Sequence, residues 1–426
     1  MAIDDDLGGR ARMRGSTVET ATAAGATTGS SVRRAVTSSA GTRARTVTVA
    51  VAVGLFASVA TVASAAVITG NAGDNTLRGT NRADRIDGRA GDDTLLGRRG
   101  RDRLTGGRDD DRLRGGQTGG ESYLFDDNWG NDTVSDPAGT DTLDFSAVSS
   151  GMLIDLVPSA SNEANAGAPN TVDFPASTVI EDAIGGSGPD SIFGTEDNNA
   201  LSGNSGGDEI HGRGGDDALN GGDGGDFYAF DEGWGSDTLT DLSGDDTLDF
   251  SALSSGSPVQ VSSDALGEAS SSTDILAFSP GQIERIQGGA GSDRIFGNSL
   301  GNYISGNAGD DELYGSSGGA LSDVNTLDGG VGNDTLRSNS QGSNSLIGGP
   351  GNDNLGGTGT PETVDGGTGT DVVETFGGGD TVDVSDGDAG DTVDCGTGTD
   401  TVVVDAVSGS PIDSTTNCEA VIPQGF

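Results

Sequence analysis

The stretch Gly185–Ala229 reads GGSGPDSIF GTEDNNALS GNSGGDEIH GRGGDDALN GGDGGDFYA, which is five nine-residue units without remainder. Each unit begins with Gly, carries an acidic or amide residue at its sixth place and a large apolar residue at its eighth. The sixth places are Asp190, Asn199, Asp208, Asp217 and Asp226. The eighth places are Ile192, Leu201, Ile210, Leu219 and Tyr228. Such constant phase indicates that every unit forms the same short structural element.

This repeat predicts an all-β solenoid. The residues around the eighth place form a short strand with its central side chain inward, and the Gly-rich remainder forms a turn that needs positive φ and close backbone approach. Two units make one turn, so sixth-place carboxylates eighteen residues apart stack at about the strand spacing of ~4.8 Å. Two charges at that spacing repel by roughly 1 kcal/mol in water, and by more at a protein surface. The stack therefore calls for cations.

The pattern Gly-Gly-x-Gly-x-Asp-x-apolar-x resembles the haemolysin-type calcium-binding (RTX) repeats. The resemblance implies a right-handed parallel β-roll that binds several calcium ions and folds on binding them. It also implies that sixth-place Asp side chains are the ligands, with turn carbonyls completing each shell. The predicted metal ligands are Asp84, Asp93, Asp102, Asp111, Asp190, Asp208, Asp217, Asp226, Asp293, Asp311, Asp334, Asp353 and Asp371.

The repeat phase divides the chain into several regions. They are an N-terminal extension with a secretory signal peptide (1–65), a first RTX block (66–120), a wider β insert (121–184), a second RTX block (185–225), a second insert (226–287), an irregular third block (288–383) and a C-terminal cap (384–426). The inserts are twins, since 123–133 matches 228–238 at an offset of 105. Both alternate apolar and polar residues, which predicts wider β-rungs that continue the solenoid. Trp129 and Trp234 are expected in the core, with a ligand groove as the alternative.

The first block carries arginines in its turns, including Arg82, Arg98, Arg99 and Arg108. Arginines beside the sixth-place carboxylates are an alternative to calcium as counter-charges in this block. The predicted fold of this block does not depend on which cation neutralises the carboxylates.

The N-terminal segment predicts export. Four arginines between residues 33 and 45 precede an uncharged apolar run over 46–62 and an Ala63-Ser64-Ala65 motif, which predicts cleavage after Ala65. An uncleaved membrane anchor is the alternative, and the only case in which a membrane would be a partner. In an exported chain the only two cysteines, Cys395 and Cys418, are expected to form a disulfide in the C-terminal cap rather than a metal site.

Composition limits the partners. The chain has 67 acidic and 22 basic residues, which argues against nucleic acid and anionic membranes as partners. With 76 Gly and 4% aromatic residues, composition alone favours disorder for the metal-free chain. Only the strict phase argues for an ordered, metal-bound state.

No catalytic domain is evident in the sequence. The Gly-Asn-Ser205-Gly-Gly motif resembles that of serine hydrolases, with His211 as the nearby base, but it lies in a repeat turn and not between a strand and a helix. We therefore expect a secreted or cell-surface structural or adhesive protein that is not an enzyme, with calcium and cell-surface or matrix components as partners. The alternatives are a ligand- or ice-binding solenoid with Thr-x-Thr runs near Thr358 and Thr397, and then a hydrolase.

Overall fold

The computed structural model describes residues 65–157, 163–165, 170–241, 243–263, 267–271, 274–278, 281–315, 324–339, 342–407, 410–411 and 413–425. The predicted signal peptide lies outside these residues, apart from Ala65. Within the described part of the chain, we find no apolar helix of membrane-spanning length.

The described residues form a parallel β-solenoid of about 17 turns. Along the regular rungs, successive strands alternate between a first sheet of 19 strands and a second sheet of 20, because each nine-residue unit makes half a turn. Gly377–Gly378 and Thr397–Gly398 form a separate two-stranded sheet. Ile86 therefore pairs with Leu104 in the first sheet, and Leu95 pairs with Leu113 in the second. The predicted all-β roll is confirmed.

The first rungs form regular stacks. Their eighth-place side chains, such as Leu95 and Leu104, are fully buried between the two sheets. The strands are β1 (Val67–Thr69), β2 (Thr76–Arg78), β3 (Arg85–Ala90), β4 (Thr94–Arg98), β5 (Arg103–Arg108), β6 (Arg112–Gly116), β7 (Ser122–Asp126), β8 (Asn131–Ser135) and β9 (Thr142–Ala147).

The first insert adds strands that the sequence does not predict. After β9 the chain makes an antiparallel meander in the second sheet, formed by β10 (Leu153–Asp155), β11 (Glu163–Asn165) and β12 (Thr171–Asp173). β12 pairs with β8, and places Val172 opposite Asp132. The expectation of simple wider rungs is therefore incomplete, although the parallel stack continues on both sides of the meander.

Aromatic residues fill the interior beside this meander. Trp129 is 1% exposed, and its ring centroid lies 5.9 Å from that of Phe125 and 5.6 Å from that of Phe145. Trp234 is also 1% exposed and contacts Phe230 and Phe250 in the same way. Core packing, rather than a ligand groove, is thus confirmed for both tryptophans.

The second block restores the nine-residue period before the twin insert. The first insert ends with β13 (Asp182–Ile184), and the strands of the block are β14 (Ser191–Phe193), β15 (Ala200–Ser205), β16 (Glu209–His211) and β17 (Ala218–Asp223). The second insert begins with β18 (Phe227–Ala229), β19 (Ser236–Thr240) and β20 (Thr247–Asp249). The twin meander consists of β21 (Gln260–Ser262), β22 (Glu268–Ser270) and β23 (Ile275–Ala277). It lies in the first sheet, whereas its counterpart lies in the second.

The third block and the cap complete the solenoid. The second insert ends with β24 (Arg285–Gln287). The strands of the third block are β25 (Arg294–Phe296), β26 (Tyr303–Ser305), β27 (Glu312–Tyr314), β28 (Thr326–Asp328), β29 (Thr335–Arg337), β30 (Ser345–Pro350), β31 (Asn354–Gly356), β32 (Thr363–Thr368), β33 (Val372–Glu374), β34 (Gly377–Gly378) and β35 (Thr381–Asp383). Those of the cap are β36 (Thr392–Asp394), β37 (Thr397–Gly398), β38 (Thr401–Val407), β39 (Ser410–Pro411), β40 (Ser414–Thr416) and β41 (Ala420–Gly425). Cys395 and Cys418 form a disulfide within the cap.

Candidate metal centres

The sixth-place carboxylates stack into two ladders, one along each edge where the chain passes between the sheets. All thirteen predicted ligands are at most 3% exposed. One ladder contains Asp84, Asp102, Asp217, Asp293, Asp311, Asp334, Asp353 and Asp371. The other contains Asp93, Asp111, Asp190, Asp208 and Asp226.

One oxygen of each carboxylate joins neighbouring turns. In every case Oδ1 accepts a main-chain N–H from the residue stacked on it in the neighbouring turn, as where Asp84 donates to Asp102 at 2.7 Å. Asp93 donates to Asp111 in the same way, also at 2.7 Å. These bonds hold the carboxylates in register and turn their second oxygens toward the turn interior.

The second oxygen, Oδ2, defines the candidate site. Among the described residues, ten of the thirteen Oδ2 atoms are buried with no hydrogen-bond partner, whereas those of Asp84, Asp190 and Asp293 accept a bond from their own turn. A buried charged oxygen without a partner is costly, and native structures pair such charges or use them to bind metals. These Oδ2 atoms are therefore the atoms that we expect to bind cations.

Glycine provides the space beside these oxygens. A Cβ atom on Gly329 would lie 2.5 Å from Oδ2 of Asp334 and 2.7 Å from the carbonyl oxygen of Gly348. A Cβ on Gly366 would lie 2.7 Å from Oδ2 of Asp371. A carboxylate oxygen and a main-chain carbonyl thus border one small space beside a first-place glycine. These are the oxygen ligands that calcium prefers, so the residues fit the ion.

Electrostatics also favour a bound cation. Burial, together with the negative charge of the neighbouring Asp93, raises the pKa of Asp111 to about 7. Burial likewise raises the pKa of Asp353 to about 7, with Asp334 and Asp371 beside it. Near neutral pH, a metal-free ladder must take up protons or keep like charges in contact, and a divalent cation removes that conflict.

One stretch of ladder carries no charge. Asn302, Asn325 and Asn344 occupy successive places, and Nδ2 of Asn302 donates to Oδ1 of Asn325 at 2.9 Å. Nδ2 of Asn325 donates to Oδ1 of Asn344 at 3.3 Å. These amides satisfy each other, so this segment of the edge needs no counter-ion.

The arginines of the first block do not replace calcium. All eleven between residues 78 and 114 are exposed. Within the described ranges, the ion pair that they form is that of Arg103 with Asp144, at 3.8 Å. The Oδ2 atoms of Asp93, Asp102 and Asp111 keep no hydrogen-bond partner in the described structure. Nη1 of Arg98 instead donates to the carbonyl oxygen of Gly79 at 3.4 Å, so this guanidinium contacts a turn carbonyl and not a sixth-place carboxylate.

The ladders contain carboxylates that the nonapeptide pattern misses. Each stands two residues before a buried apolar side chain, which is a shorter signal than the full nine-residue unit. They are Asp132, Asp141, Asp237, Asp246, Asp380, Asp391 and Asp400. Each of them is followed by Thr and then by Val or Leu.

Ser205 and His211, whose sequence setting resembles a hydrolase pair, have separate contacts in the structure. Nε2 of His211 lies 3.0 Å from Oε1 of Glu209, and its ring stacks on Phe193 with centroids 4.5 Å apart. The main-chain N–H of Ser205 donates to the carbonyl of Gly186. His211 thus interacts with its strand neighbours on the outer face of the second sheet.

Comparison with protein families agrees with this geometry. A model of the RTX calcium-binding nonapeptide repeat matches residues 69–104, 90–117, 281–299, 287–319 and 320–355. A model of the peptidase M10 serralysin C terminal matches residues 131–254. No curated protein matches the chain. The matched repeats include the arginine-rich first block, and with the carboxylate ladders they show that the chain belongs to the RTX calcium-binding repeat proteins.

Proposed function

We propose that this chain is an exported structural or adhesive protein whose β-roll folds when it binds calcium outside the cell. The supporting observation is the pair of carboxylate ladders, in which buried Oδ2 atoms such as that of Asp353 have no hydrogen-bond partner among the described residues. Sixth-place Asp side chains and turn carbonyls would hold the ions, and the ions would supply the charge that the ladders need. Extracellular modules of this kind bind calcium with Kd on the order of 10⁻⁴ to 10⁻³ M.

Export and folding are linked in this proposal. RTX repeats and serralysin C-terminal domains are typical of secreted proteins. In a low-calcium compartment the acidic chain stays extended, because its carboxylates repel each other and its apolar content is low. After export, calcium binding supplies the free energy of folding. A stiff calcium-loaded solenoid suits attachment to cell-surface or matrix components.

The proposed role is not enzymatic. The matched serralysin segment is the C-terminal domain, which is non-catalytic. A stack of rungs with an aromatic and aliphatic core offers extended faces for binding. These features favour a scaffold over a catalyst.

The folding step is tested by far-UV circular dichroism of the purified chain during a calcium titration, with magnesium as the control. We expect a cooperative gain of β signal in the millimolar range that a chelator reverses. A chain already rich in β structure in chelator would overturn the folding switch. No gain at saturating calcium would overturn the calcium-folded roll itself.

The adhesive and export roles need separate measurements. We expect the protein in the culture medium to begin at Ala66 by N-terminal sequencing, and to bind cells in calcium and leave them in chelator. An intact N-terminus in the membrane fraction would contradict cleavage. A folded, calcium-loaded chain that binds neither cells nor matrix would contradict adhesion.

One observation favours a ligand- or ice-binding solenoid as the second candidate. A rank of hydroxyl side chains crosses five neighbouring rungs of the second sheet, formed by Thr326, Ser345, Thr363, Thr381 and Thr401. The parallel column two residues on carries Asp328, Asp365 and Asp383, so the hydroxyl rank stands beside charges. Thermal hysteresis measured with the calcium-loaded chain tests this candidate. A clear difference between the melting and freezing temperatures of ice would favour ice binding, and no difference would contradict it.

A further inference from the structure

Each insert contains a buried cluster of three carboxylates that differs from a nonapeptide site. The first comprises Glu121, Asp136 and Asp141, and the second comprises Asp226, Asp241 and Asp246. Within each cluster, one oxygen from each residue lies within 4.8 Å of the others. The six side chains are at most 4% exposed.

The third carboxylate of each cluster comes from an unusual position in the repeat. Asp136 stands five residues before Asp141, and Asp241 stands five residues before Asp246. This is the first place of a nine-residue unit, where the regular repeats have Gly. A carboxylate there enters the space that a first-place glycine leaves beside the sixth-place oxygens. The substitution occurs once in each insert, at the offset of 105 that relates the twins.

Unpartnered oxygens point into the first cluster. Glu121 is 1% exposed, and neither of its oxygens has a hydrogen-bond partner in the described part of the chain. Oδ2 of Asp141 is also without a partner among those residues. In the second cluster the same holds for Oδ2 of Asp226, within the described ranges. Three carboxylates in a space that excludes water repel strongly unless a cation lies between them.

A tyrosine fixes the additional carboxylate in both copies. The hydroxyl of Tyr123 donates to Oδ2 of Asp136 at 2.7 Å, and that of Tyr228 donates to Oδ2 of Asp241. Both tyrosines occupy eighth places, where most units bury Leu or Ile. A buried hydroxyl is tolerated in the core because it has this partner. The tyrosine therefore positions the third carboxylate and stands next to the cluster.

We propose that each cluster binds one calcium ion in a second class of site, which holds the ion more tightly than the nonapeptide sites do. This inference rests on the proposed calcium-dependent function and assigns the tighter sites to two ladder steps, Glu121–Asp141 and Asp226–Asp246, each of which gains a third carboxylate. Tighter binding is expected because the affinity of a site for calcium rises with the number of its carboxylates and with its rigidity. Glu121, Asp136 and Asp141 offer three carboxylates, whereas a ladder step offers two. These two ions bind first in a titration and anchor the inserts.

Terbium luminescence tests the inference on the full chain, because the tyrosine beside each cluster sensitises a bound terbium ion. In calcium-free buffer we expect tyrosine-excited emission to saturate at two terbium ions per chain. The double variant Asp136→Asn/Asp241→Asn keeps an oxygen that can accept the tyrosine hydroxyl but removes one charge from each cluster. We expect its emission at that stoichiometry to fall by about tenfold.

The matched control is Asp353→Asn/Asp371→Asn, which removes two charges from nonapeptide sites. We expect it to retain the early emission of the wild type. Equal emission from all three proteins would overturn the inference, as would equal losses in both variants. Should the Asp136/Asp241 variant fail to fold, equilibrium dialysis of the wild type at low terbium supplies the answer, because it must count two tight ions whose binding parallels the rise of tyrosine-excited emission. Fewer than two tight ions there would also overturn the inference.

Calcium-titrated circular dichroism on the same samples separates the two proposals. A wild-type chain that does not fold in calcium contradicts the proposed function. A wild-type chain that folds in calcium but shows no early emission contradicts the three-carboxylate sites alone.

Discussion

The main-chain N–H of Asp334 donates to Oδ1 of Asp353 at 2.7 Å, while Oδ2 of Asp353 is buried with no hydrogen-bond partner in the described structure. The two oxygens of one carboxylate therefore have different roles. Its first oxygen joins two turns, and its second belongs to the metal site. Calcium removal leaves the joining bond in place but opposes it with the repulsion of stacked charges, so metal binding and folding are coupled at each step of the ladder.

Low pH should partly stabilise the fold when calcium is absent. Burial raises the pKa of Asp353 to about 7 and those of Asp132 and Asp237 to about 8, whereas an unfolded Asp has a pKa near 3.9. Because the folded state binds more protons than the unfolded state, these groups contribute to the free energy of unfolding. Their contribution is fully present below about pH 4 and is lost as pH rises through 7 to 8. We expect the calcium-free chain to show more β signal and a higher Tm at pH 5 than at pH 8. Melts in calcium-depleted buffer at both pH values measure this.

The opposite trend is expected in saturating calcium, since protons then compete with the ion for the same oxygens. A calcium-free chain that is more ordered at pH 8 than at pH 5 would contradict the raised pKa values.

Removing one ladder charge should make the roll less dependent on calcium. Asp353→Asn keeps an Oδ1 that can accept the N–H of Asp334, and it replaces the orphan oxygen with an amide, as Asn325 does naturally. We expect the calcium-free fold to gain about 1–2 kcal/mol, because a buried unpaired charge is gone, and the calcium midpoint to rise. A calcium titration followed by circular dichroism gives both quantities. The control is Asp388→Asn, at an exposed position, which should change neither.

The interior column should be sensitive to cavities. Leu346 is fully buried and stacks between Leu327 and Val364. Leu346→Ala should lower the free energy of unfolding in saturating calcium by about 2–5 kcal/mol, measured by chemical denaturation. Val331, which is 57% exposed, provides the control, and Val331→Ala should stay within about 0.5 kcal/mol of the wild type. Similar losses in both variants would be inconsistent with a close-packed core.

The disulfide should stabilise the cap selectively. Cys395 and Cys418 are 23 residues apart, and a closed loop of that size stabilises by about 3 kcal/mol in the chain-entropy description. We expect the Cys395→Ser/Cys418→Ser variant to lose C-terminal peptides early in limited proteolysis followed by mass spectrometry, while fragments of the first block persist. Reduced wild type should behave like the variant. Loss of protection throughout the chain would instead indicate that the cap controls the whole fold.

The regular part of this fold can be predicted from sequence, because the place of a residue in the nine-residue unit determines where it lies in the solenoid. Asp208 and Ile210 are two residues apart in a nine-residue unit, and the structure buries one in a ladder and the other in the core. The same rule predicts the burial of all thirteen carboxylates. It succeeds because each unit meets the same neighbours above and below it.

The departures from sequence expectation have three physical causes. Period-two alternation is the same for a parallel rung and for an antiparallel strand, so Val172 and its meander could not be recognised. The direction of a turn side chain is not set by the repeat, which is why arginines such as Arg98 were expected beside carboxylates. The nonapeptide pattern does not predict a role for Asp136, because that pattern requires glycine at the first place of the unit and assigns no function to another residue there.

The two inserts lie on opposite sheets, with Tyr123 in the first and Tyr228 in the second. The heritable module of this solenoid is therefore the half-turn and not the full turn. A gene segment that encodes an odd number of half-turns can be copied without disturbing the rungs that follow, because either sheet accepts them equally. An odd number of added half-turns moves every rung after it to the other sheet, which is how two matching segments come to lie on opposite sides of one core.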